Sequence, residues 1–219
     1  MSPLKPSFLP STNPPLQLEE PPSISTVISA LNLTPHIEGG YYVETDRSEA
    51  TIPSPFPAKP SSSTSGLVPQ RPGFNPELRS LSTTIFYLLT PSGPQGGFHR
   101  NAARTVHTLH RGRGTYVIIH ADENTSSGEK RVESFVVGSD VTKGEKLQWI
   151  VEGGKFKASF LLPDVEGGKE SEGLLISETV VPGFEYVDHD FLTEGGLVDL
   201  VGGEKADELK WLLSPLGGK

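Results

Sequence analysis

Short apolar runs alternate with clusters of turn-forming residues along most of the chain. Strand-like stretches, rich in β-branched and aromatic residues, occur at 41–44, 81–89, 105–109, 115–120 and 132–137, and again at 147–151, 155–162, 174–181 and 186–188. Glycines punctuate them, at Gly96-Gly97, Gly112 to Gly114, Gly128, Gly144, Gly153-Gly154 and Gly183. Many short strands at a spacing of about 8–12 residues predict an antiparallel sandwich or barrel. Two segments read instead as helices. Residues 24–33 (ISTVISALNL) form a short one with Ser23 or Ser25 as N-cap. Residues 206–213 (ADELKWLL) form a C-terminal one, with Leu209, Leu212 and Leu213 on a shared face. No internal repeat is evident.

Two stretches break this pattern. Residues 1–22 hold seven prolines and no apolar periodicity, which reads as a flexible Pro-rich tail. Residues 51–76 hold another seven prolines among serines and read as a long insertion, disordered or serving as a lid. The remainder, 23–219, is expected to be one all-β domain carrying that insertion.

Composition narrows the function classes. The 219 residues carry 27 acidic and 19 basic side chains, a formal charge of −8. Duplex nucleic-acid binding draws its affinity from Lys/Arg contacts to phosphates, so no nucleic-acid partner is expected. No apolar run approaches the roughly 18–20 residues of a membrane span, and no membrane partner is expected either. The start, MSPLKPSFLPSTNPP, lacks the charged and apolar regions of a secretory signal, and the expected location is cytoplasmic. The chain has no cysteine, which excludes disulfides, thiolate zinc sites and cysteine nucleophiles.

Candidate chemistry centres on histidine, since His99, His107, His110 and His120 fall within 22 residues. Side chains alternate faces along a strand, so His107 and His110 point oppositely while His99, on the preceding segment, can face His107 across a hairpin. Such a pair inside a barrel serves as metal ligands or as an acid–base couple, and ordinary strand histidines would look the same. A metal site would need a carboxylate. Glu44 and Glu185, which border strand-like segments, are better placed for that than Asp122 or Glu123. Serine catalysis lacks its Gly-x-Ser-x-Gly elbow. Arg111-Gly-Arg-Gly-Thr115 joins two strands, which makes it a hairpin turn rather than a dinucleotide loop.

Three segments together are more specific: LTPHIEGGYYVETDRS at 33–48, STTIFYLLT at 82–90 and VPGFEYVDHD at 181–190. In this order they resemble the Cupin_5 (DUF985) family of the RmlC-like cupin superfamily, over about residues 25–195. The resemblance implies a double-stranded β-helix, the cupin jelly-roll barrel, with a ligand cavity and a homodimeric assembly. It also equates Gly97, His99, Thr105 and Lys157 with the positions of superfamily metal ligands. Only His99 is a good ligand, so no metal and no cofactor are expected. His107 could offer a substitute imidazole, but no carboxylate is seen to accompany it.

The resulting expectation is an enzyme acting on a small organic molecule in the barrel by metal-independent acid–base chemistry, of isomerase, epimerase, cyclase or lyase type. His99 and His107 are the acid–base candidates, and Lys157 the stabiliser of developing negative charge. Tyr42, Glu44, Tyr87, Arg104, Thr105, Phe156 and Tyr186 are the expected substrate contacts. A sugar derivative or a specialised metabolite fits as substrate. Two alternatives stay open: a non-catalytic barrel that binds or stores a ligand, and a metal-dependent oxygenase.

Overall fold

The computed structural model describes residues 4–9, 19–57, 62, 64, 66–126 and 128–217. Helix α1 (Pro22–Ala30) opens the domain, followed by β1 (Thr34–Pro35), β2 (Tyr41–Arg47), β3 (Thr51–Pro53), β4 (Leu78–Ser80) and β5 (Thr83–Leu89). Then come β6 (Gln95–Asn101), β7 (Arg104–Arg111), β8 (Gly114–Ile119), β9 (Val132–Val137), β10 (Gln148–Val151), β11 (Phe156–Leu161), β12 (Leu174–Val181) and β13 (His189–Phe191). Helices α2 (Glu194–Val201) and α3 (Gly203–Leu209) close the chain. None of the described helices is long and apolar enough to cross a membrane.

The strands form two facing antiparallel sheets. One has the order β1-β2-β5-β12-β7-β10, the other β13-β6-β11-β8-β9, and β3 pairs with β4 apart from both. Strand alternation then sorts the apolar residues into three cores. Tyr87, Leu89, Tyr116, Ile118, Trp149, Leu161, Leu174 and Ile176 lie between the sheets. Phe98, Val117, Ile119, Phe156, Ala158 and Phe160 face the other way and pack under α2 and α3, through Leu197, Val201 and Leu209. Leu88 and Tyr41 pack outward against Ile24 of α1. With both faces covered, β8 and β11 are buried along their whole length, whereas β12 alternates buried and half-buried positions over most of its length.

Four departures from the sequence pattern have local causes. Helix α1 begins at Pro22 with Pro21 as N-cap, since proline suits a first turn, and neither serine caps it. Residues 186–188 form a 3₁₀ turn, and the strand starts one residue later at His189. Strand β6, which includes Gly96-Gly97, escapes a propensity reading because glycine is depleted in strands. Helix α2 contains Gly195 and Gly196, and is held by its Thr193 cap and by burial of Leu197 and Val201.

Parts of both proline-rich segments contact the barrel. In the tail, the Leu4 amide donates to Glu208 Oε1 at 3.0 Å, and Leu4 and Phe8 pack on two of the cores. In the insertion, Thr51–Pro53 pairs with Leu78–Ser80, and Thr64 is fully buried. Its Oγ1 donates to the His189 carbonyl at 2.7 Å, and Arg71 reaches Glu185 at 2.7 Å.

Candidate active site

One layer of the barrel interior is polar. Along β12 the inward positions run Leu174, Ile176, Glu178, and along β11 they run Leu161, Ser159, Lys157. Register sets Glu178 opposite His107 and Lys157 opposite His99. Four titratable side chains therefore meet at one level, above an apolar floor that includes Leu161, Leu174 and Ile176.

The first group is made entirely from strands of the two sheets. Lys157 Nζ lies 2.9 Å from His107 Nε2 and 2.7 Å from Glu178 Oε2, and His107 Nε2 lies 3.3 Å from the same carboxylate. Trp149 stacks on the His107 ring at 5.0 Å, with Tyr116 edge-on at 5.3 Å. Burial opposes ionisation of Glu178, but Lys157 and His107 outweigh it and hold the carboxyl well below its usual range. Burial lowers the pKa of His107, and Lys157 lowers it further.

The second group joins a loop to the second sheet. Residues 36–40 turn back between β1 and β2, with the His36 amide on the Gly40 carbonyl at 3.0 Å. Gly39 takes φ +110°, and a side chain there would run into the Gln95 carbonyl. This close approach lets the Gly97 amide donate to the Glu38 carbonyl at 2.7 Å and the Tyr87 hydroxyl to the Gly39 carbonyl at 2.8 Å. The Glu38 carboxylate consequently sits 2.9 Å from His189 Nε2, 3.4 Å from His99 Nε2 and 3.5 Å from His36 Nδ1. Burial raises the Glu38 carboxyl, yet the three imidazoles overcome it and keep the group well below the usual carboxylate range. His99 is pushed down to about 3, chiefly by burial, with Glu38 opposing and Lys157 reinforcing the shift.

The expected site residues divide on this geometry. His99 and Lys157 are neighbours on one sheet, and His107 faces them from the other, since β6 and β7 lie in different sheets rather than in one hairpin. Tyr87 is buried with its hydroxyl raised well above its usual range, by burial first and then by Glu38. Thr105 is buried and accepts from Asn101 at 3.4 Å. Tyr42 and Tyr186 are half-buried beside the second group, Tyr42 over His36 at 4.3 Å and Tyr186 at 6.3 Å from His189.

Three expected contacts point elsewhere. Phe156 faces the helix-covered core under Arg100, because it alternates with the inward Lys157. Glu44 is exposed and paired with Arg47, and Arg104 is exposed beside Glu152. The carboxylates also differ from those singled out in the sequence. Glu185 is taken by Arg47 and Arg71, whereas Glu178 accompanies His107, and Glu38 with His189 accompanies His99. Glu178 sits on an alternating strand whose inward residues are otherwise apolar, and that pattern was the available signal. Glu38 lies in a turn and His189 opens a three-residue strand directly after a 3₁₀ turn, too short for periodicity to give a direction.

Comparison with known proteins agrees with this architecture. The sequence model of Cupin_5, described as cupin superfamily (DUF985), matches residues 25–192. The chain belongs to the Cupin_5 family. It is 46% identical over 195 residues to the uncharacterized protein YML079W of Saccharomyces cerevisiae, covering 89% of this chain and 88% of that one. Among solved structures, a hypothetical protein from Leishmania major aligns with a TM-score of 0.66 at 28% identity, over 86% of this chain and 97% of its own. Protein SO0799 from Shewanella oneidensis aligns with a TM-score of 0.63 at 23% identity, over 87% and 97%, a likeness of fold.

Within this cupin, the positions equated with superfamily metal ligands do not form a donor set. Gly97 has no side chain, Thr105 bonds to Asn101, and Lys157 presents an amine bound to Glu178. No reaction step is assigned to a metal there.

Proposed function

We propose that this cupin is an enzyme that moves a proton on a small organic molecule bound between the sheets, in an isomerisation, epimerisation, cyclisation or elimination. The observation that carries this reading is the buried Lys157–His107–Glu178 triad, in which an amine, an imidazole and a carboxylate lie within 3.3 Å of one another. The reacting bond is a C–H next to a carbonyl. Lys157 turns an N–H from His107 Nε2 to the carbonyl oxygen, the freed Nε2 lone pair accepts the C–H proton, and the electron pair moves onto the oxygen that Lys157 now stabilises. Return of the proton to another position, or to the opposite face, completes the turnover. Glu178 balances the charge on Lys157 and orients it. The neutral, high-pKa hydroxyls of Tyr87 and Tyr116 hold the substrate's polar groups. A sugar derivative or other hydroxylated carbonyl compound suits this lining. A homodimer is part of the same proposal, checked by light scattering.

The test is solvent exchange. Protein incubated in D₂O with a panel of nucleotide sugars, keto sugars and hydroxy-ketones is followed by proton NMR. One compound should lose a carbon-bound proton signal, with the rate falling about 100-fold or more in His107→Gln. Binding without exchange would favour the storage barrel. Exchange that persists in His107→Gln and Lys157→Met, both melting cooperatively, would overturn the assignment.

A further inference from the structure

The Glu38–His99–His189 group has a hydrogen-bonding arrangement unlike that of the Lys157 triad. His99 Nδ1 lies 2.8 Å from the Gly97 carbonyl, which can only accept, so Nδ1 carries the hydrogen and Nε2 the lone pair. His189 Nδ1 lies 3.2 Å from Thr64 Oγ1, whose single proton is already directed to the His189 and Tyr186 carbonyls at 2.7 and 3.1 Å. That hydroxyl therefore accepts from His189 Nδ1–H, and His189 Nε2 likewise presents its lone pair. Both lone pairs point at one carboxylate, at 2.9 and 3.4 Å. Acceptor thus meets acceptor twice, which is unfavourable without a positive charge at their meeting point. His36 adds to this, because its buried Nδ1 makes no hydrogen bond and lies 3.5 Å from the same carboxylate.

Protons alone are an expensive answer. Two of them would create two imidazolium ions, stacked at 5.0 Å in a buried site, against one carboxylate and close to Lys157. A single divalent cation satisfies both contacts. Its ligand atoms, with bonds of about 2.1 Å, stand about 3.0 Å apart along an octahedral edge and about 3.4 Å apart along a tetrahedral one. The observed distances, 2.9 Å to Glu38 Oε1 and 3.4 Å to Oε2, are of this order, and one ligand atom from each residue lies within 4.8 Å of the other two. Each ring has its outer N–H fixed by an oxygen, the support that orients metal-bound histidines.

We propose that Glu38, His99 and His189 form a binding site for one divalent first-row transition-metal ion, with His36 beside the carboxylate and Thr64 of the insertion orienting His189. Only His99 belongs to the positions equated with superfamily ligands; Glu38 comes from the turn before β2 and His189 from β13. Two imidazoles and a carboxylate favour zinc, iron, cobalt, nickel or manganese over calcium or magnesium. The site goes beyond the proton-transfer reading and does not rest on it, because the two use separate carboxylates.

The experiment is a titration of chelator-treated, tag-free protein with Co²⁺, followed by its visible absorption, with competition by Zn²⁺. One equivalent should bind and raise the melting temperature. Thr64→Val should weaken binding about tenfold or more. His189→Phe should abolish the absorption band, while His107→Gln should retain it. Should His189→Phe fail to fold, Glu38→Gln serves as the second variant. No binding of Co²⁺ or Zn²⁺ by the wild-type protein, or full binding in Glu38→Gln and His189→Phe, would overturn the proposal. Loss of metal binding with proton exchange intact, or the reverse, separates failure of this proposal from failure of the functional one.

Discussion

The two polar groups in the barrel lie at one level yet differ in how they are made. Lys157, His107 and Glu178 stand on the central strands β11, β7 and β12, where each residue's direction is fixed by ladder register. The group balances itself, one ammonium donating to one imidazole and one carboxylate. Glu38, His99 and His189 come from a turn, from β6 and from an edge strand of three residues, and their geometry depends on Gly39 and on Thr64. The contacts of that group are acceptor to acceptor. The contrast teaches that the regular part of a sheet suits a self-neutralising triad, whereas a site that gathers lone pairs is assembled where irregular backbone can be aimed.

Substitutions can sharpen that contrast, and the largest effect is expected in the strand triad. Lys157→Met leaves the Glu178 carboxylate buried without its cation, which should cost about 3–5 kcal/mol in denaturant unfolding. The double variant Lys157→Met/Glu178→Leu should recover most of that loss, because no unpaired charge remains. A double variant as unstable as the single one would show that packing of the lysine stem, rather than charge, dominates.

Acid should weaken both groups, with an intermediate effect. His99 and His107 have depressed pKa values in the fold, so below about pH 6.5 the unfolded chain binds protons that the native state refuses. Stability of metal-stripped protein should therefore fall with acidification from pH 7, by about 1.4 kcal/mol per pH unit for each such histidine, and for His99 the loss should continue towards about pH 3. Glu38 and Glu178, also depressed, should add to the loss below about pH 4.5. Thermal melts between pH 4 and 8 would show it. An unchanged slope in His107→Gln would remove that residue from the account.

The smallest effect is expected at the clamp on His189. Thr64→Val removes one buried hydroxyl that bonds to two carbonyls and one imidazole. It should lower stability by about 1–3 kcal/mol in urea unfolding without altering proton exchange at His107. A loss near zero would mean that Thr64 merely covers the ring.

The alternation of short strands and glycine turns was enough to determine a β-sandwich or barrel, and three motifs to place the chain in its family. His107 could be singled out from the cluster of four histidines and Lys157 from the family resemblance, and period-two alternation assigns their face. Phe156 shows the limit of that rule. It neighbours Lys157 in sequence, but the same alternation sends it to the opposite core, and only the presence of α2 and α3 there reveals that this face is also buried.

Tertiary structure alone decided the partners. Nothing local joins Glu178 to His107, 71 positions earlier, or Glu38 to His189, which meet across 151 positions. The first pairing arises when β12 inserts between β5 and β7, and the second when β13 joins the edge of β6 beneath the turn at Gly39. Strand order and turn direction are collective outcomes of packing two sheets and their helices. A residue's own neighbours can fix which face it shows, but only the closed barrel fixes what it meets there.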